Sequence, residues 1–347
     1  MARQLLITFD YELFLGNRSG FVEDCMLEPT RALNAIMKKY GVKAVFFVDT
    51  TYLLRLQEQA TVSEQCKIDF DAVAGQLIDL VHSGHYVFPH VHPHWLDAKY
   101  IPKINQWQLN DISKYRFHTI SPAEREAVFT GSVELLSNLL SPHFRGYRVD
   151  GFRAGGCCIQ PFDDFKPYFE KNRIAHDFTV IGGIYQFTDV QHFDFSNAPD
   201  KPHYRFSGDI CKEDPNGPFT EFNISSMEYP TYTRLFHRLL TKYLYKVKGD
   251  HTFYKGEGQP SKIIPGIAPK SDLGHDIHNS KWESLSIELL TRSKLLAYLN
   301  FLDKHRYMHF ISHPKMISRH NLKTFEIFLA NAFSRYDIET DFRKMLV

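Results

Sequence analysis

Short apolar runs alternate along this chain with stretches whose apolar positions recur at helical spacing. Residues 4–9 form a nearly unbroken apolar run (Leu5, Leu6, Ile7, Phe9) that predicts a buried strand ending on Asp10. Residues 29–40 place Leu33, Ile36, Met37 and Tyr40 on one helical face, with Pro29 near the start and Gly41 as the stop. Residues 42–48, rich in β-branched and aromatic side chains, predict a second strand. Residues 70–81 predict a helix, closed by Ser83-Gly84, and residues 86–88 a third strand. A long helix over 122–140 has Ser121 as its N-cap and Glu124 placed for a capping box. Further on the pattern predicts a strand at 148–153, a helix at 162–169 and a strand at 174–180. Helix 285–302, strand 307–311 and helix 322–333 then close the chain. Residues 182–281 break the alternation with Pro, Gly, Asn, Asp and aromatics, and read as loops and short strands decorating the core. Strands alternating with helices imply a parallel α/β fold, barrel or open sheet. One elaborated domain over residues 1–347 is the expectation, since α/β barrels commonly run to this length.

Composition narrows the function classes. Lys and Arg total 41 against 40 Asp and Glu, so no basic surplus points to nucleic acid. No stretch approaches the roughly 18 apolar residues of a membrane span, and the apolar run at the N-terminus is too short for a secretion signal. Cys25, Cys66, Cys157, Cys158 and Cys211 are odd in number and scattered without a C-x-x-C, which argues against a disulfide framework or a thiolate zinc site. On these grounds the chain reads as cytoplasmic.

Polar residues gather where the predicted strands end. The first strand delivers Asp10 and Glu12, the third is followed by His90, His92 and His94, a later one delivers Arg153 and the last His313. In parallel α/β folds ligands bind at that end of the strands, so four separate segments converge on one carboxylate-and-imidazole site. Such donors suit zinc, and one carboxylate with two imidazoles leaves a position open for water or substrate. Spacing leaves the histidine pair open. His90 and His94 share a face if the chain has turned into a helix, whereas all three point one way if it stays extended, and Pro93 biases His92 towards extended geometry. A lone buried histidine is usually satisfied by backbone, and a strand-end Asp often only caps the next turn. Three histidines at alternate positions favour metal binding over that plainer role.

Four motifs stand in one order across residues 8–314: Thr8-Phe9-Asp10, the Gly84-His85…His90-x-x-x-His94 block, Phe152-Arg153-Ala154-Gly155-Gly156, and Ile311-Ser312-His313-Pro314. Together they resemble the polysaccharide deacetylase family, the carbohydrate esterases of family 4. The resemblance implies a distorted (β/α) barrel of the TIM type with a divalent metal, usually zinc, held by one carboxylate and two histidines. It implies that Asp10 is the catalytic base, that His90 and His94 bind metal with His92 behind them or a bystander, and that Arg153 pairs with and orients Asp10. His313 takes the part of the general acid. The stretch Ala175-His176-Asp177-Phe178-Thr179 resembles the next block of the family, where an acidic residue supports the site.

Three departures stand against that pattern. Tyr11 occupies the position where the family usually has a second, metal-binding Asp, and Glu12 is its natural substitute. The usual Arg-x-Pro-Tyr becomes Arg153-Ala154-Gly155-Gly156, where a backbone N–H at Gly156 can still hold a tetrahedral oxyanion. Cys157-Cys158 have no catalytic role and are expected to pack as small buried residues. The activity implied is removal of an N-acetyl or O-acetyl group from a sugar or polysaccharide precursor. Trp95, Tyr100, Trp107 and Tyr204 would either floor a sugar groove or belong to satellite core. Two other readings stand beside this one: an enzyme on the same scaffold acting on a small imide or ureide, and a carbohydrate-binding relative without turnover.

Overall fold

The computed structural model describes residues 2–16, 19–109, 113–188, 190–229, 231–253 and 282–346. Its centre is a parallel sheet, and the strands that form it are those whose residues are apolar on both faces. Strand β1 (Arg3–Tyr11) buries Leu5, Leu6, Ile7 and Phe9 completely, as a strand covered on both sides must. Beyond it lie α1 (Glu28–Lys39), β2 (Ala44–Asp49), α2 (Thr50–Gln59), α3 (Glu64–His82) and β3 (Tyr86–Val91). They are followed by α4 (Pro122–Leu140), β4 (Gly151–Ala154), α5 (Lys166–Asn172) and β5 (His176–Asp177). An antiparallel pair, β6 (His203–Phe206) and β7 (Phe219–Phe222), precedes helix α6 (Thr231–Lys248). The chain closes with α7 (Leu295–His305), β8 (Tyr307–Ser312), α8 (Arg319–Arg335) and β9 (Ile338–Glu339).

The sheet runs β6-β7-β5-β4-β3-β2-β1-β8, with β9 also pairing β1. Backbone hydrogen bonds then carry it round. Ile224 donates to the Val180 carbonyl at 2.8 Å, Ser225 to the His309 carbonyl at 3.2 Å, Leu285 to Ser225 at 2.9 Å and Ile311 to Leu285 at 3.0 Å. These bonds join the β5–β7 side to β8 and curl the sheet into an irregular (β/α) barrel, the architecture the motifs imply. Phe342, on the short helix Phe342–Met345, plugs the lower end, packing its ring 5.4 Å from Phe178, 5.6 Å from Phe222 and 6.0 Å from Phe88.

Helix α4 begins as its sequence predicts, with the reciprocal Ser121/Glu124 capping box formed. Helix α3 is longer than its apolar periodicity predicts, because Ser63 caps it at the Cys66 N–H. Helix α2, not expected from the sequence, buries Tyr52, Leu53 and Leu56 on one face and is started by the Asp49 side chain, which accepts from the Tyr52 N–H.

Two expectations fail. The helix expected over 285–302 begins only at Leu295, because the backbone of Leu285 is spent on closing the barrel and Ile287 donates to the Ser312 hydroxyl at 2.9 Å. The stretch 182–281 holds short hairpin strands as expected, but also the 18-residue helix α6. Its residues 254–281 lie outside the described residues. No helix among the described residues is long and apolar enough to cross a membrane.

Candidate metal and hydrolytic site

The C-terminal ends of β1, β3, β4 and β8 meet at one mouth of the barrel. Register brings them there: Asp10 stands opposite Phe47 of β2, His90 is flanked by Asp49 and Arg153, and Phe9 lies opposite Ser312, next to His313.

Asp10 has differently engaged oxygens. Its Oδ1 accepts from Arg153 Nη1 at 2.6 Å, while Oδ2 faces His90 Nε2 at 3.7 Å and His313 Nε2 at 3.5 Å. Arg153 is fully buried, and its guanidinium is fixed from all sides. It donates to the Phe178 carbonyl at 2.9 Å and to Thr8 Oγ1 at 2.7 Å, and lies 4.2 Å above the Phe47 ring. Burial works to raise the Asp10 pKa, but Arg153, His90 and His313 outweigh it and hold the carboxyl below its ordinary value.

Glu12 lies two residues on. Its Oε2 is 2.9 Å from His92 Nε2 and 3.8 Å from His90 Nε2, and its Oε1 accepts from Lys315 Nζ at 3.0 Å. Burial again opposes ionisation, and Lys315 with His92 overcomes it, so the carboxyl sits well below its usual range. Lys315 also donates to the Leu13 carbonyl at 2.7 Å, which pins the Glu12 backbone turn.

The three histidines stand differently around the carboxylates. His90 Nδ1 lies 3.0 Å from the Arg153 carbonyl, so that nitrogen carries the proton and Nε2 presents a lone pair to the cluster. His92 Nε2 is 3.0 Å from His90 Nε2. His94, which the motif resemblance puts in the ligand set, is buried with its ring 5.2 Å from that of His92 and stacked on Tyr115 at 5.8 Å. The backbone sets this placement. His92, ahead of Pro93, is held extended at φ −116° and ψ 89°, and the chain winds into a 3-10 turn over Pro93–Asp97 that bears His94. Glu12, His90 and His92 have their donor atoms within 4.8 Å of one another, as do Asp10, Glu12 and His313. Burial depresses the His90 pKa to about 4 despite the neighbouring carboxylates, leaving it a neutral imidazole. His92 goes the other way, because Glu12 outweighs its burial.

His313 is the most open member, its side chain 26 % exposed. Its Nδ1 lies 2.9 Å from Glu288 Oε1. Burial would lower its pKa, but the bond and charge of Glu288 raise it. Gly156 follows β4 at φ +58°, a left-handed conformation that suits glycine, and a Cβ there would meet the Tyr115 hydroxyl at 2.6 Å. Both features disfavour a larger residue at this position.

Other predicted residues lie elsewhere. Asp177 is buried below the mouth, its Oδ1 accepting from the Thr179 N–H at 2.9 Å, and burial raises both its pKa and that of Glu221 beside it. Trp95, Tyr100, Trp107 and Tyr204 are buried core, and none is open to a sugar. Cys158 is buried and Cys157 partly so, and neither forms a disulfide.

Sequence reasoning missed Glu288, Lys315 and Asp49. Lys315 lies only two positions past His313. Asp49 ends a strand and could have been found by the same rule that found Asp10. It accepts from Trp95 Nε1 at 2.6 Å, and burial pushes its pKa to about 7.

The fold and site together define a (β/α) barrel with a buried carboxylate–imidazole cluster that could hold a metal ion at the C-terminal ends of its strands. No family model matches the chain, and no curated protein matches it. Among solved structures it is similar to a protein of Mycobacterium smegmatis named as a polysaccharide deacetylase, at 12 % identity and TM-score 0.48, covering 99 % of this chain and 90 % of that one. It is also similar to the allantoinase PuuE, at 10 % identity and TM-score 0.47, over 98 % and 87 % of the two chains. A third similarity is to the 4-alpha-glucanotransferase of Thermococcus litoralis, at 10 % identity and TM-score 0.44, over 98 % of this chain and 38 % of that one.

Proposed function

We propose that this chain is a metal-dependent hydrolase that removes an N-acetyl, or O-acetyl, group from a sugar-containing substrate. The observation that carries the proposal is the division of labour around Asp10: one oxygen neutralised by a buried arginine, the other facing two imidazoles. A binding module has no need of a base and an acid within 3.5 Å of each other.

Glu12, His90 and His92 fit a metal. Bonds of about 2.0–2.1 Å in a tetrahedral site separate donor atoms by roughly 3.3 Å, and this cluster spans separations of 2.9 to 3.8 Å. A divalent ion there, zinc by its donor set, would polarise the substrate carbonyl and acidify water. The residues do the rest. Asp10 Oδ2 takes a proton from the attacking water, while Arg153 keeps that carboxylate ionised and oriented. The Gly156 N–H is the donor proposed for the oxyanion. His313, protonated and held through Nδ1 by Glu288, delivers a proton from Nε2 to the departing nitrogen, without which an amine leaves poorly.

The sugar substrate rests on the motif resemblance. A second reading, a small imide or ureide, is favoured by the burial of the four aromatics, which leaves none of them as a sugar platform. A panel of N-acetylated sugars and small cyclic amides, assayed with the wild type and Asp10→Asn, separates the two. The proposal expects acetate release from the sugars, lost in Asp10→Asn by about two to four orders of magnitude. Turnover confined to cyclic amides would establish the second reading, and turnover of neither would end both.

A further inference from the structure

We propose that helix α6 is a docking surface for an anionic lipid bilayer. From Arg234 onwards its sequence repeats a basic residue followed by an apolar one every four positions: Arg234-Leu235, Arg238-Leu239, Lys242-Tyr243 and Lys246-Val247, with Lys248 at the end. No acidic residue occurs between Thr231 and Lys248. At 3.6 residues per turn, two rows spaced by four run side by side along neighbouring faces of a helix. The apolar row is exposed: Leu235, Leu239, Tyr243 and Val247 are 47 to 65 % exposed, and Phe236 beside it is 56 % exposed.

The opposite face attaches the helix to the barrel. His237 is buried, its Nδ1 3.1 Å from Ser293 Oγ, and Leu240 and Leu244 are half-buried. Just past the helix, the Asp250 N–H donates to the Leu244 carbonyl, while the Asp250 carboxylate accepts from Ser318 Oγ at 2.6 Å and the His320 N–H at 3.0 Å. The helix is thereby fixed to the two segments that carry Glu288 and His313, with its apolar row outward.

Charge selects the occupant. A second copy of this chain, with 41 basic and 40 acidic residues, brings no acidic surplus to meet the basic row. An anionic bilayer satisfies both rows at once, headgroups against Lys242 and Lys246 and acyl chains against Leu239 and Val247, with the helix lying in the interface rather than crossing it.

The test is cosedimentation of the full chain with vesicles of phosphatidylcholine alone or with phosphatidylserine added. Binding is expected on the anionic vesicles only, weakening as salt is raised. Leu239→Ser with Val247→Ser, and separately Lys242→Glu with Lys246→Glu, should each lower partitioning about tenfold or more without changing the thermal midpoint, since all four side chains are exposed. Equal binding to neutral vesicles, no binding to either, variants that sediment like the wild type, or a wild-type dimer abolished by the Leu239/Val247 change would each overturn the proposal.

Discussion

Under the proposed function, Asp10 and His313 take their roles from what holds their far sides. Arg153 occupies one oxygen of Asp10, and Glu288 occupies Nδ1 of His313, so each presents a single reactive atom to the mouth. The pH behaviour follows from this. Glu288 raises the His313 pKa, so the protonated acid persists to higher pH and activity falls only as pH rises through that raised value. Glu288→Gln removes the charge that favours the imidazolium. The high-pH limb of kcat/KM should therefore move down by about one to three units, while the low-pH limb, set by Asp10, stays in place. An unmoved high limb would remove His313 as the acid. Asp10, Glu12, His90, Arg153 and His313 are legible in the sequence because each ends or follows a strand, and the structure brings all five together. The choice between His92 and His94 is not legible, because it depends on where the backbone turns at Pro93. Glu288 is hidden by an apolar pattern that reads as helix.

At the scale of elements, the strands and their edges set the site. Gly155, at the end of β4, lies against β3 so closely that a Cβ would sit 2.4 Å from the Val91 carbonyl and 2.8 Å from His92 Nδ1. Gly155→Ala must push the strands apart or displace His92. It should cost about 1–3 kcal/mol of stability, as overpacking does, and lower metal occupancy, measured by denaturant unfolding and metal analysis. Native stability and full occupancy would mean that His92 is not held by this contact. Apolar strands such as β1 and β2 are legible because a strand buried on both faces needs an unbroken apolar run. Helix α7 is misplaced in the sequence reading because Leu285 and Ile287 satisfy an apolar helical period while their backbones serve the barrel. Helix α6 escapes notice because its residues lie in a stretch whose composition is that of loops, though its four-residue period is present.

Across the whole molecule, the barrel is closed by a few backbone bonds through Ser225 and Leu285, and its mouth gathers side chains from residues 10 to 315. An ion bound by groups so far apart in sequence binds the folded chain and not the unfolded one. At about one hundred times its dissociation constant it contributes roughly 2.7 kcal/mol. For a chain of 347 residues that is a rise of about 4 °C in thermal midpoint, reversed by a chelator and absent in Glu12→Ala. No rise on adding zinc would contradict a site that binds only the folded state. The barrel type is legible because four motifs span it in order, whereas its closure is not, since that rests on single residues between elements. The central claim, that Glu12 holds a divalent ion while Asp10 does chemistry beside it, is tested most directly by metal content per chain after loading and dialysis. The account predicts one equivalent in the wild type and in inactive Asp10→Asn, and a clear loss in Glu12→Ala. A metal-free wild type, or Asp10→Asn shedding the ion while Glu12→Ala keeps it, would contradict it.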